Sequence, residues 1–193
     1  MNQFFSDIME SIIVPARLVF IMWLVFFIET ILNMDFGFLG ILPRTETGLI
    51  GIITSPVVHG NYLHLMSNTL PILVLGTSLY FFYDRIASRV FLSCYFFTGL
   101  LVWIFAGGNS IHIGASGVVY GIAFFLTFFG LFRKDFKSIL ISLITLFSYG
   151  GLFYGLLPMQ PGISYESHLL GAIVGVVNAV LLSKIRRTSK DGY

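Results

Sequence analysis

The sequence predicts an all-α membrane protein, a six-transmembrane helix bundle with both termini cytoplasmic, and three observations point to it. Hydrophobic residues make up 56% of the chain against 10% charged, at a mean hydropathy of +0.91, which is more apolar surface than one soluble core of this length could cover. The apolar residues are gathered into six long runs, each near the ~20 residues that a bilayer helix needs, and show none of the ten-residue alternation of an outer-membrane barrel. Basic residues crowd to one side once those runs are threaded back and forth.

Taken in order, residues 1–14 place Phe4, Phe5, Ile8, Met9, Ile12 and Ile13 at helical spacing opposite Asp7 and Glu10, the pattern of an interfacial amphipathic helix. No basic stretch leads into an apolar core with a cleavage-like site, so a removed signal peptide is not expected. Pro15 is expected to open both the first span, 15–33, and the six-span domain, 15–185. The loop 34–58 carries Phe36, Phe38, Leu39, Ile41 and Leu42 among Gly and Pro; too apolar for a free linker and too broken to span, it is expected to lie against the membrane. Further spans are expected at 62–83, 90–107, 115–132, 138–157 and 167–183, with tight charged turns at 84–89 and 133–137. The single Cys94 excludes an internal disulfide.

Six spans put both termini and the second and fourth connections on one side. Arg17, Arg85, Arg89, Arg133, Lys134, Lys137, Lys184, Arg186, Arg187 and Lys190 fall there, and only Arg44 falls on the other, which makes that side cytoplasmic. The segment 186–193 is then a basic cytoplasmic tail, and residues 184–190 read as an anchor to anionic lipid, with no nucleic-acid role.

With this threading the second, fourth and sixth spans all run inward from the outer surface. Their first turns carry His64 and Asn68, then Ser116, then His168, so three helices deliver polar groups to one depth. Intramembrane polar groups are costly and face a cavity or one another. Gly117 and Gly121 form one small-residue stripe, and Gly171 and Gly175 another, of the kind that lets helix backbones approach closely. Packing the fourth span on the sixth through these stripes would bring Ser116 and His168 together. A serine hydroxyl reacts only with a positioned base and with donors for the oxyanion it creates. His168 supplies a general base, while the Ser116 N–H with the side chains of His64 and Asn68 supplies donors; no carboxylate is evidently placed to orient the histidine, Glu166 lying two residues before it. Tyr120, one turn after Ser116, could pack on the imidazole. Close packing alone, or a proton-coupled transporter using His64 and His168, would use some of the same residues.

His59-Gly-Asn-Tyr-Leu-His64-Leu-Met-Ser-Asn68, then Gly114-Ala-Ser116-Gly117-Val-Val-Tyr120, then His168-Leu-Leu-Gly171-Ala-Ile-Val-Gly175 together resemble the rhomboid family of intramembrane serine proteases. The resemblance runs from His59 to Gly175 in order, spacing and layout. It implies a Ser116–His168 dyad, an oxyanion site including His64, Asn68 and Ser116, Tyr120 stacked on the catalytic histidine, and Gly114, Gly117, His59, Gly171 and Gly175 in support. It also implies cleavage of transmembrane helices near their outer ends, and access governed by the fifth span, which here holds Gly150, Gly151 and Gly155. Many bacterial members carry a Trp-Arg pair shortly before the histidine motif; the corresponding stretch here reads Gly48-Leu-Ile-Gly51-Ile-Ile, which leaves the anchoring of the first loop open. Ser167 stands where the family usually has alanine. A catalytically inactive relative that binds membrane proteins is the remaining alternative.

The other polar residues are given smaller parts. His59 is expected to make a structural hydrogen bond, His112 to be solvated in a short outer loop, and Glu29 to snorkel or hydrogen-bond. No metal or cofactor is expected, since His64, Asn68 and His168 make a poor ligand set. The partners are a transmembrane helix of a substrate and the lipid bilayer, in a bacterial plasma membrane with the active site facing outward.

Overall fold

A computed structural model describes residues 3–108, 110–158 and 164–185. The basic tail at 186–193 lies outside the described residues. The helices are α1 (Gln3–Leu32), α2 (Gly48–Thr54), α3 (Tyr62–Phe105), α4 (Ser116–Arg133), α5 (Phe136–Tyr149) and α6 (Tyr165–Leu182). Among the described residues there is no strand, only an isolated antiparallel bridge between Ile41 and His112.

Two boundaries differ from those the sequence suggests. The amphipathic start and the first span are one helix, and Pro15 sits inside α1 instead of opening a span. Proline forfeits one ladder hydrogen bond, which a membrane helix tolerates when the site is packed. Here the ring of Pro15 fills the space that a side chain at Gly76 of α3 would need, its Cγ lying 2.7 Å from where that Cβ would be. At 1.5 Å per residue α1 is about 45 Å long, which exceeds the ~30 Å hydrocarbon core by several turns.

The second difference is that the charged turn expected at 84–89 is helical. α3 runs for 44 residues with one non-helical backbone position, Tyr83 (φ −139°, ψ 39°). A straight helix of that length would measure about 66 Å, twice the bilayer core. Instead the chain folds back at Tyr83, so that Tyr80 meets the Phe91 ring at 6.1 Å and its hydroxyl lies 3.3 Å from Ser88 Oγ. Residues 62–82 and 84–105 are thus two spans, and α3 contributes both. The Tyr83 ring is wedged edge-on against Phe125 and Phe129 of α4, at 6.0 and 4.9 Å.

α4 is the axis of the bundle. Ile122, Phe125, Leu126 and Phe129 are fully buried, whereas Phe136 and Phe147 of α5 are 84% and 85% exposed, as befits side chains that face lipid. α6 lies backbone to backbone on α4: a Cβ at Gly171 would overlap the Gly117 carbonyl, and one at Gly175 the Gly121 carbonyl. No side chain could separate the helices there, which is the close approach that small residues allow.

α5 is pinned to the end of α4. Ser142 Oγ donates to Leu126 O (2.8 Å) and accepts from Gly130 N–H (3.0 Å), while Asp135 caps the helix by accepting from Ser138 N–H (3.0 Å). Beyond Tyr149 the α-helix gives way to a 3-10 stretch, Gly150–Leu156, in which Gly150 and Gly151 have open space beside them. The expected fifth span is therefore part α-helix and part 3-10.

Both described ends of the chain lie at the same end of the bundle, with the basic residues. Phe4 packs on Phe81 (5.7 Å), Lys137 lies over Phe82 (5.4 Å), and Arg133 donates to Ile185 O (3.4 Å). Arg44 is at the opposite end, where it anchors the first loop. Its guanidinium donates to Ile104 O (3.1 Å) and Ala106 O (2.6 Å), carbonyls left unpaired at the end of α3, and Trp103 Nε1 donates back to Thr45 O (2.9 Å). Glu29 is hydrogen-bonded, accepting from Phe36 N–H at 2.7 Å.

Candidate active site

The polar groups singled out in the sequence are each positioned by a local device. Asn61 caps α3 by accepting from His64 N–H (2.8 Å), which fixes where the helix starts and puts His64 and Asn68 on one face. Asn68 is 3% exposed, and one of its amide hydrogens goes to His64 O (3.0 Å), leaving the other unspent among the described hydrogen bonds.

The turn before Ser116 needs its glycine. Gly114 has φ +102°, its N–H donates to Ser55 O (2.8 Å), and a Cβ there would lie 2.5 Å from His64 Nε2. Gly114→Ala is therefore expected to combine about 1–2 kcal/mol of backbone strain with displacement of the His64 ring. Loss of thermal stability together with loss of activity would be the measured outcome. The turn makes Ser116 the first residue of α4, where N–H groups have no intrahelical acceptor. The Ser116 side chain is half-buried.

α6 starts at Tyr165 because Ser164 caps it, accepting from Ser167 N–H (3.3 Å). His168, one turn in, is 7% exposed and lies flat on Tyr120, with ring centroids 4.1 Å apart and planes 7° from parallel. Its Nδ1 is 2.9 Å from Gly155 O. A carbonyl can only accept, so Nδ1 carries the hydrogen and Nε2 presents a lone pair. Ser116 and Tyr120 are four apart on one face of α4, so the hydroxyl stands one turn from the ring that His168 covers. The next residue, Gly117, passes so close to α6 that an added Cβ would lie 3.3 Å from Ser167 O. The described hydrogen bonds include none between Ser116 and His168; such bonds are commonly long until substrate binds.

His59 is 1% exposed, and its ring lies 5.0 Å from that of His64. The hydrogen bond expected of it is not made in good geometry by either ring nitrogen. Burial, and after it the neighbouring His64, hold its pKa down to about 4, with the Val57 backbone opposing. A base whose pKa is depressed in the folded state keeps the fold at full stability above its ordinary value of 6.5. Stability is then lost as pH falls from there toward 4. At about 1.4 kcal/mol per pKa unit the loss approaches about 3 kcal/mol. His59→Gln should flatten that part of the stability–pH curve, measured by denaturant unfolding.

His112 corrects the sequence reading outright. It is not solvated but 4% exposed, drawn under the first loop by reciprocal backbone hydrogen bonds with Ile41, both of 2.9 Å. Its Nδ1 meets Ser164 Oγ at 2.5 Å, and its Nε2 lies 3.8 Å from Glu166. Glu166 in turn accepts from Gly107 N–H (2.8 Å), and the described hydrogen bonds and ion pairs include none between it and His168. The sequence reading names neither the Gly155 carbonyl nor Ser164: nothing in a sequence marks a backbone oxygen, and Ser164 shows its part only as the cap of α6.

A family model described as Rhomboid domain matches residues 46–185. An uncharacterized protein of Mycobacterium tuberculosis is 39% identical over 167 residues, which cover 78% of this chain and 66% of that protein. One of Mycobacterium leprae is 39% identical over 165 residues, 77% of this chain and 62% of that protein. Rhomboid-like protein 11, chloroplastic, of Arabidopsis thaliana is 30% identical over 157 residues, 72% of this chain and 54% of its own length. The chain thus spans between about half and two thirds of these relatives.

Proposed function

The chain belongs to the rhomboid family, and from that premise we propose that it is an intramembrane serine endopeptidase acting through a Ser116–His168 dyad. The observation that carries the reading is the state of the imidazole. His168 is fixed by ring stacking on Tyr120 and by the Gly155 carbonyl, with Nε2 left as a base, and Tyr120 lies one helical turn from Ser116 at the start of α4.

Ser116 Oγ attacks the scissile carbonyl while His168 Nε2 takes its proton, and the imidazolium returns that proton to the leaving amine. The oxyanion of the tetrahedral intermediate is met by the Ser116 N–H, the unspent Asn68 amide hydrogen and the His64 ring. Water then repeats the sequence on the acyl-enzyme, with the same base. The Gly155 carbonyl does what a triad carboxylate does for orientation, without supplying a negative charge. The substrate is a transmembrane segment of another membrane protein. The protein spans a plasma membrane, with its basic end cytoplasmic and the dyad toward the outer face, as the distribution of Lys and Arg argues.

The test is reconstitution of the pure protein with labelled single-span substrates, alongside fluorophosphonate labelling of Ser116. Specific labelling that vanishes on heat denaturation supports the reading. A folded parent that neither labels nor cleaves any of several substrates would favour a binding-only member of the family.

A further inference from the structure

The loop that delivers Ser116 and the helix that delivers His168 are joined by a polar contact that the catalytic reading does not use. His112, four residues before Ser116, meets Ser164 Oγ through Nδ1, and Ser164 Oγ lies 2.7 Å from Ser167 Oγ. Ser164 O accepts from the N–H of His168 itself (3.3 Å). On the other flank of the same turn Glu166 takes the Gly107 N–H. The first turn of α6 is thus clamped to the 106–115 connection at both sides. His112 is itself immobilised, since its backbone is bridged to Ile41 and its ring is buried.

We propose that His112 is a positioning residue for the Ser116–His168 pair, setting through Ser164 how far the first turn of α6 stands from the loop that carries the hydroxyl. This rests on the protease reading. The glycine contacts between α4 and α6 fix the approach of the two helix backbones below the dyad, whereas the first turn of α6, which Gly117 also approaches at Ser167 O, is tied to the connection by polar contacts. Among the described hydrogen bonds, the side chain that reaches from the connection to the first turn of α6 is that of His112. Its polar character also gives it direction: an apolar ring at 112 would fill the same volume while leaving Ser164 Oγ without its partner on the Ser116 side.

The experiment uses the full chain in lipid, comparing the parent with His112→Phe, which keeps the bulk, and His112→Asn, which restores a polar group near the place of Nδ1. Two readouts are taken: cleavage kinetics with fluorophosphonate labelling of Ser116, and hydrogen exchange at the amides of Ser167 and His168. His112→Phe is expected to lower kcat and the labelling rate about 10- to 100-fold with KM within about twofold, and to speed exchange at both amides. His112→Asn is expected to recover most of both. Unchanged exchange and rates in His112→Phe would overturn the proposal, as would an Asn variant no better than the Phe variant, which would reduce His112 to packing. A parent that does not label sinks the protease reading instead, and the exchange comparison then decides by itself whether the bridge exists.

Discussion

Ser116→Ala and His168→Ala are each expected to reduce cleavage by roughly 10⁴-fold or more, and the double variant to be no slower than the worse single. The two groups act as one machine: a hydroxyl without its base stays protonated, and a base without its hydroxyl has nothing to activate. Losses that multiplied in the double variant would mean that the groups serve separate steps, and substantial turnover in Ser116→Ala would dismiss the serine as nucleophile. His168→Ala also removes the ring stacked on Tyr120, so His168→Asn, which keeps more of the side chain, separates lost basicity from lost packing. Both should be folded and inactive, as judged by thermal unfolding beside the kinetics.

The next largest effect is expected from a methyl group. Gly171→Ala would set a Cβ into the Gly117 carbonyl, so α6 must move away from α4 by a fraction of a helix diameter. Overpacking of this kind costs about 1–3 kcal/mol. The catalytic cost is larger, because Gly117 adjoins Ser116 and Gly171 lies one turn from His168. A displacement of about 1 Å between reacting groups can cost about 10²-fold in rate. Gly175→Ala, one turn further from the dyad and against the Gly121 carbonyl, supplies the comparison. It is expected to lose a similar amount of stability and less activity. Equal activity losses would show that the stripe matters only for folding.

Those glycines were legible in the sequence because small residues at a four-residue spacing have one common use between membrane helices, and the six-span layout followed from hydropathy and charge. Ser116, His168, His64 and Asn68 stood out because polar residues are rare in such runs. What did not show were features of the backbone. Residues 84–89 carry charges that suggest a turn, yet the reversal is made by the single dihedral change at Tyr83, and the charged residues that follow remain helical. The group holding His168 is a carbonyl, identical in every residue. His112 sat in a short stretch with nothing to mark it as buried, since its burial comes from a bridge to Ile41, far away in the chain. The same distance hid the answer to how the first loop is held: Arg44 enters the sequence reading only as the one basic residue on the outer side, and it is a cap for the end of α3.

The turn at Tyr83 also bears on biogenesis. With one residue spent on the reversal and helix continuing on either side, the second and third spans are a ready-made hairpin that can enter the bilayer as a unit. His64 and Asn68 then need never be inserted on a solitary helix: the neighbouring arm goes in with them while α4 and α6 are still being synthesised.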